Sequence, residues 1–158
     1  MKRQLGADPL LDAIVFYKIY NDKESVEEQY ENICKLVEKV PDINRRDGKG
    51  NTYLMVAAVN YKEDIVKLLL LNGADPNIGD KTGVRPLAYL FLKEKESRED
   101  IIKLLLQYGA DPSIQDKPGQ NAFDFAKICG AEPHLIALLE EANMKLHGVH
   151  QGNNPRCI

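Results

Sequence analysis

One segment of this chain returns at a nearly constant interval, and that recurrence restricts the fold more than any other property of the sequence. Asp47-Gly48-Lys49-Gly50-Asn51-Thr52-Tyr53-Leu54 leads into Asp64-Ile65-Val66-Lys67-Leu68-Leu69-Leu70 and closes on Asn72-Gly73-Ala74-Asp75-Pro76-Asn77. The same order runs from Asp80-Lys81-Thr82-Gly83 through Asp100-Ile101-Ile102-Lys103-Leu104-Leu105-Leu106 to Tyr108-Gly109-Ala110-Asp111-Pro112-Ser113. A third pass opens at Asp116-Lys117-Pro118-Gly119-Gln120-Asn121 and ends around Leu135-Ile136-Ala137-Leu138-Leu139. Asp47 to Asp80 is 33 positions and Asp80 to Asp116 is 36. The three extra residues fall within Leu92 to Arg98, a charged stretch that reads as a longer loop between helices.

Each unit parses as turn, helix, short link, helix, turn. Thr52 is placed to cap the first helix, and Pro86 suits a first helical position, where its missing donor is not needed. Leu54, Ala57 and Ala58 make a narrow face whose small side chains let neighbouring helices approach closely. Ile65, Leu68, Leu69 and Asn72 follow the i, i+3, i+4, i+7 spacing, so the second helix is expected to bury that stripe and show Lys67 to water. Gly73 and Gly109 stand where a helix stops in a left-handed cap, and Pro76 and Pro112 forbid its continuation. One such unit has too little apolar surface to fold alone, so the units must stack.

This pattern resembles the ankyrin repeat, a 33-residue unit with a Thr-Pro-Leu-His-like helix start and a Gly-Ala-Asp closing loop. The departures are Tyr53 for the proline, Arg85 for the threonine, and Met55 or Ala88 for the histidine. The resemblance implies an all-α solenoid of about four units in one domain over 1–143. Residues 9–46 form a degenerate N-terminal cap, 47–79 and 80–115 are repeats, and 116–143 is a C-terminal cap. Residues 144–158 are expected to be a mobile tail. Upstream, Leu10–Tyr20 and Ser25–Val40 read as a helix pair whose ending, Pro41-Asp42-Ile43-Asn44, matches Asp75-Pro76-Asn77 in register. Asp8 is assigned a capping role, with Pro9 at the first helical position.

The composition is that of an ordinary globular protein, 44% apolar and 28% charged. With 24 acidic against 21 basic residues, the net charge of −3 argues against a phosphate-seeking surface, and no aromatic platform or basic helix accompanies the loop cations. Nucleic acid and membrane are therefore not expected partners. The N-terminal segment lacks the apolar core of a secretion signal, and three cysteines without ligand spacing suit a reducing compartment, so a cytoplasmic location is expected.

Candidate chemistry is sparse. Gly48-Lys49-Gly50-Asn51 superficially suggests a phosphate cradle but lacks the P-loop spacing and its Lys-Ser/Thr. Cys129 and His134 are five positions apart with no orienting partner evident. His147, His150 and Cys157 would bind a metal adventitiously. No cofactor is expected, and a small enzyme with an unrecognised site is the remote alternative.

Transferred by register from the resemblance, the contact positions are Arg46, Lys49, Asn51, Val59, Asn60, Lys81, Val84, Leu92, Lys93, Lys117 and Gln120. Val59, Val84 and Leu92 read either as small anchors or as packing between units, and Tyr61, Tyr89 and Phe91 more as core than as interface. Cations concentrate in the joining loops (Arg45, Arg46, Lys49, Lys81, Lys117). Acids concentrate on the helices (Glu27, Glu28, Glu31, Glu63, Asp64, Glu94, Glu96, Glu99, Asp100). The resemblance thus implies a basic-leaning groove facing an acidic protein surface. The function expected is that of a monomeric, non-enzymatic binding module acting as inhibitor, immunity-type protein or adaptor. The alternative is an effector delivered into host cells.

Overall fold

The computed structural model describes residues 8–18, 25–92 and 98–148. Among the described residues eight helices follow one another: α1 (Pro9–Phe16), α2 (Val26–Lys39), α3 (Tyr53–Val59), α4 (Glu63–Leu71), α5 (Pro86–Tyr89), α6 (Arg98–Gln107), α7 (Ala122–Ile128) and α8 (Pro133–His147). The odd-numbered helices pack in a row, α1 on α3, α3 on α5 and α5 on α7, while α4 packs on α6 and α6 on α8. Two helical layers result, joined by loops whose one β-type pairing among the described residues is the Arg46–Thr52 bridge.

The local signals act as their chemistry dictates. Asp8 Oδ1 accepts the Leu11 N–H at 3.1 Å with Pro9 at the first helical position. Ser25 and Glu28 form a reciprocal capping box on α2. Thr52 Oγ1 accepts the Met55 N–H at 3.2 Å, and Asn121 with Asp124 boxes the start of α7. Leu54, Ala57 and Ala58 are wholly buried, which lets α3 lie between α1 and α5. Ile65 and Leu69 are buried on α4, as are Ile101, Ile102 and Leu105 on α6, forming one continuous core.

Three readings are corrected. Asn72 is exposed and is not part of the buried stripe; its side chain caps the helix end by donating to Leu68 O at 2.8 Å. The regular part of α1 ends at Phe16, earlier than Tyr20, and Tyr20 itself lies outside the described residues. Finally, α8 continues through Met144 to His147, past the 143/144 boundary, because Leu139 is buried and the following turns stay hydrogen-bonded. The proposed loop insertion at 93–97 and the tail from 149 onward lie outside the described residues.

The N-terminal pair is bolted to the stack by polar ties that periodicity does not reveal. Buried Tyr53 donates its hydroxyl to Asp8 Oδ2 at 2.7 Å, so the residue replacing the family proline anchors α1 to α3. Buried Tyr17 donates to Asp64 Oδ2 at 2.6 Å, and Lys18 Nζ lies 2.9 Å from the same oxygen. Asp64 is therefore an inward tie, not part of an acidic outer face. Arg98, 5% exposed at the start of α6, pairs with Glu132 before α8.

Three substitutions probe this packing. Leu69→Ala should cost about 2–5 kcal/mol by opening a cavity in the α4 core, read as a lowered urea midpoint. Gly50 and Gly73 both have φ near +90°, at 89° and 86°, but a Cβ on Gly50 would lie 2.6 Å from the Lys81 backbone nitrogen while one on Gly73 meets open space. Gly73→Ala should therefore cost about 1–2 kcal/mol, and Gly50→Ala distinctly more, in the same unfolding assay.

Candidate functional site

The hairpin that opens each unit is organised by one carboxylate. Asp47 Oδ1 accepts the N–H groups of Lys49 and Asn51, both at 2.8 Å, and its Oδ2 accepts from Asn51 Nδ2 at 3.0 Å. Asp80 Oδ1 accepts from the Thr82 and Val84 N–H groups at 2.8 and 3.1 Å and from the Thr82 hydroxyl at 2.6 Å. Its other oxygen accepts from Tyr89 at 2.7 Å. Asp116 Oδ1 takes the Gln120 N–H at 2.7 Å. Burial alone would raise the carboxyl pKa of Asp47 and Asp80, but these hydrogen bonds favour the anion more and hold both below the ordinary value. Burial, with the same bond to Asp80, pushes the Tyr89 hydroxyl up to about 12.

Adjacent hairpins are then bonded to each other. Lys81 N–H donates to Lys49 O at 3.3 Å, and Lys117 N–H donates to Thr82 O at 2.9 Å. Two arginines, at different positions within the unit, bond successive joins. Arg46 donates from Nε to Gly50 O at 3.1 Å, and from Nη2 to Asp80 O at 3.0 Å and to Gly79 O. Arg85 donates to Asn77 O at 3.0 Å, Gly83 O at 2.8 Å and Gln115 O at 3.1 Å. Gly79 and Gln115 occupy equivalent positions, so the departure from threonine at position 85 supplies the bond that Arg46 supplies one unit earlier.

With the tips fixed this way, Lys49, Lys81 and Lys117 are exposed, and none forms an ion pair among the described residues. Asn51, Val59 and Asn60 come together with Met55, Val56 and Tyr89 around one open slot between α3 and α5. Val84 and Gln120 line a second, narrower crevice between α5 and α7. Leu92 is 48% exposed just beyond α5, outside both. Arg46 is exposed as a residue, but its guanidinium is committed to three backbone carbonyls. Lys93 lies outside the described residues. Tyr89, Met55 and Val56 line the slot without having been singled out as contacts; the short Asp80 to Tyr89 spacing was the available signal. Phe91 is buried and Tyr61 packs on the core.

The family model for ankyrin repeats matches residues 21–116 in three copies, more than half of the chain. The chain belongs to the ankyrin-repeat family. Repeats of this family are protein-binding modules. Among curated proteins, the mitochondrial disaggregases of Bos taurus and Homo sapiens are 44% and 42% identical to the chain over 50 residues. That segment is 32% of this chain and 7% of either relative, so the similarity concerns a small part of those proteins.

Of the nucleophile and metal candidates, His134 and His147 each face a carboxylate, and His150 and Cys157 lie outside the described residues. His147 Nε2 lies 2.9 Å from Asp111 Oδ2 and 3.3 Å from Ser113 Oγ, yet Ser113 gives its hydroxyl to Asp111 Oδ1 at 2.6 Å. With hydroxyl and carboxylate both on the same imidazole nitrogen, this is a clasp on the end of α8 and not a proton relay. His134 faces Glu99 at 3.2 Å, while Cys129 serves as the C-cap of α7. Among the described residues no group of three metal-ligating side chains converges, and no helix is long and apolar enough to cross a membrane.

The carboxylates set a pH limit. The pKa values of Asp47, Asp64, Asp80 and Asp111 are all depressed: burial alone would raise them, and the hydrogen bonds they accept outweigh it. Their contribution is complete above the ordinary carboxylate range, near pH 4, and is lost as pH falls through their lower folded values. Thermal melts from pH 6 down to pH 2.5 should show the midpoint falling steeply below about pH 4, and Asp80→Asn should flatten part of that fall.

Proposed function

We propose that the chain occupies the surface of another protein with the face built from its hairpin tips and odd-numbered helices, as an inhibitor, immunity-type protein or adaptor. The observation that carries this reading is the row of lysines on hairpins that are rigidly bonded to one another. The carboxylates of Asp47 and Asp80 stay anionic but are turned onto their own units, and Arg46 is turned onto carbonyls, so the lysine ammonium groups are the charges that the tips hold outward. Each ammonium is held on a short turn whose backbone is already ordered, which reduces the entropy lost on association. Positive tips arranged in this way favour an acidic partner surface and speed its encounter more than they tighten the final complex.

Binding of this kind needs no bond-making chemistry from the chain. The raised pKa values of Tyr17, Tyr53 and Tyr89 belong to buried or half-buried hydroxyls that donate to structural aspartates, so they have an account independent of catalysis.

The test is charge reversal. The Lys49→Glu, Lys81→Glu, Lys117→Glu triple variant should lose at least about tenfold in affinity for a partner isolated with the native chain, with an unchanged circular dichroism spectrum and melting temperature. Association of the native chain should also weaken as salt is raised from low to moderate strength. Retention of the partner by the folded triple variant would remove the tips from the interface.

A further inference from the structure

The slot between α3 and α5 has a composition that the lysine row does not account for. Met55, Val56 and Val59 provide apolar surface, the ring of Tyr89 bounds it from the next unit, and Asn51 and Asn60 complete its rim. Its volume is about 210 Å³, below the roughly 300–1,000 Å³ of pockets that hold small molecules, and it opens broadly to solvent. That shape suits one inserted side chain better than an enclosed cofactor.

The two rim amides are polarised in the same sense. Asn51 Nδ2 donates to Asp47 Oδ2 at 3.0 Å, and Asn60 Nδ2 donates to Val56 O at 2.8 Å. Each amide is thereby oriented by a donor bond, and its Oδ1 accepts no hydrogen bond among the described residues. The Tyr89 hydroxyl is likewise turned away, donating to Asp80. The slot therefore offers apolar walls and, on each rim amide, an oxygen acceptor and a second N–H that makes no hydrogen bond among the described residues. An occupant that satisfies it brings an apolar side chain together with N–H donors and carbonyl acceptors, a combination that an extended polypeptide carries at every residue.

Charge selects the sequence of that polypeptide. Lys49 stands two residues before Asn51, and its carbonyl is bonded to the Lys81 N–H, so two ammonium groups that form no ion pair among the described residues belong to the two joined hairpins beside the slot. In an extended strand, alternate side chains point to opposite sides, so the residues flanking an inserted one are free to face the tips.

From these observations we propose that the slot receives a single large apolar side chain of an extended acidic segment of the partner, whose backbone N–H groups bond to Asn51 and Asn60. This rests on the reading of the tip face as the binding surface and specifies what that surface recognises. The floor supplies selection for an apolar residue, the amides set register, and Lys49 and Lys81 require acidic neighbours.

Selection from a random-peptide phage library on the full chain tests the proposal directly. The enriched peptides should share one Leu, Ile, Met or Phe next to Asp or Glu. A synthetic peptide of that consensus should lose at least about tenfold in affinity on Val59→Asp and about threefold or more on Asn60→Ala, by fluorescence anisotropy. Asn60 is exposed, so its substitution spares the core and remains informative if the Val59 variant fails to fold. Selection on Lys49→Glu, Lys81→Glu chain should switch the flanking residues to basic ones. Enrichment of peptides without the apolar–acidic pattern, binding indifferent to both slot variants, or no enrichment at all would overturn the proposal. If the lysine variant loses a native partner that the slot variants still hold, the tip face stands and the slot assignment alone falls.

Discussion

Each unit of this protein is tied to the next by a polar group in its own closing loop. Asp42, Asp75 and Asp111 each use Oδ1 to accept the N–H two residues on, at 2.9, 2.8 and 2.9 Å, from Asn44, Asn77 and Ser113. The turn aims Asn44 Oδ1 at the Asp75 N–H and Asn77 Oδ1 at the Asp111 N–H, both at 2.8 Å, while Asn77 Nδ2 donates to Gly109 O at 2.8 Å. A loop that leaves backbone groups unsatisfied cannot be packed against a neighbour. Here those backbone groups are what the neighbour bonds to. The ladder stops at Ser113, where the position holds a hydroxyl instead of an amide, and His147 of α8 meets Asp111 and Ser113 there.

That arrangement separates cohesion from recognition. The closing loops and the buried helical faces carry the stack, while the hairpin tips and the odd-numbered helices are left with side chains that bond to little else. Arg46 shows how close the two roles lie in sequence: it sits three residues before Lys49, yet its guanidinium is spent on Gly50, Gly79 and Asp80, whereas the lysine ammonium is outward. A guanidinium has five donors in a fixed fork and can satisfy several carbonyls at once, which suits it to joining loops. A lysine at a tip has a flexible stem and a strongly hydrated head, which suits it to long-range attraction.

Much of the architecture was legible in advance because it is periodic. Helix starts at Pro9, Tyr53 and Pro86, the stops at Gly73 and Gly109, and the buried faces of α3, α4 and α6 follow from spacing and local turn chemistry. The misreadings have two physical origins, one local and one long-range. Asn72 fits the apolar stripe by position but lies at the helix end, where free carbonyls reward a donor more than the core rewards burial. Asp64 looks like a solvated acid at a helix start, yet a tyrosine 47 residues away reaches it. Of the surface positions, the exposure of the three lysines follows from the turns, whereas the grouping of Asn51, Val59 and Asn60 with Tyr89 depends on how two units abut.

The amino-acid sequence by itself determined the family, the helical class, the unit length and the placing of a cation at each hairpin tip, since each of these is encoded within a few neighbouring residues. Only the tertiary structure decided which polar side chains are consumed in joining units and which remain outward. Tyr53 and Asp8 are separated by 45 residues, Arg46 and Asp80 by 34, and Arg98 and Glu132 by 34. No local pattern marks such pairs, because hydrogen-bond partners are chosen by distance in space and the stacking of units sets those distances.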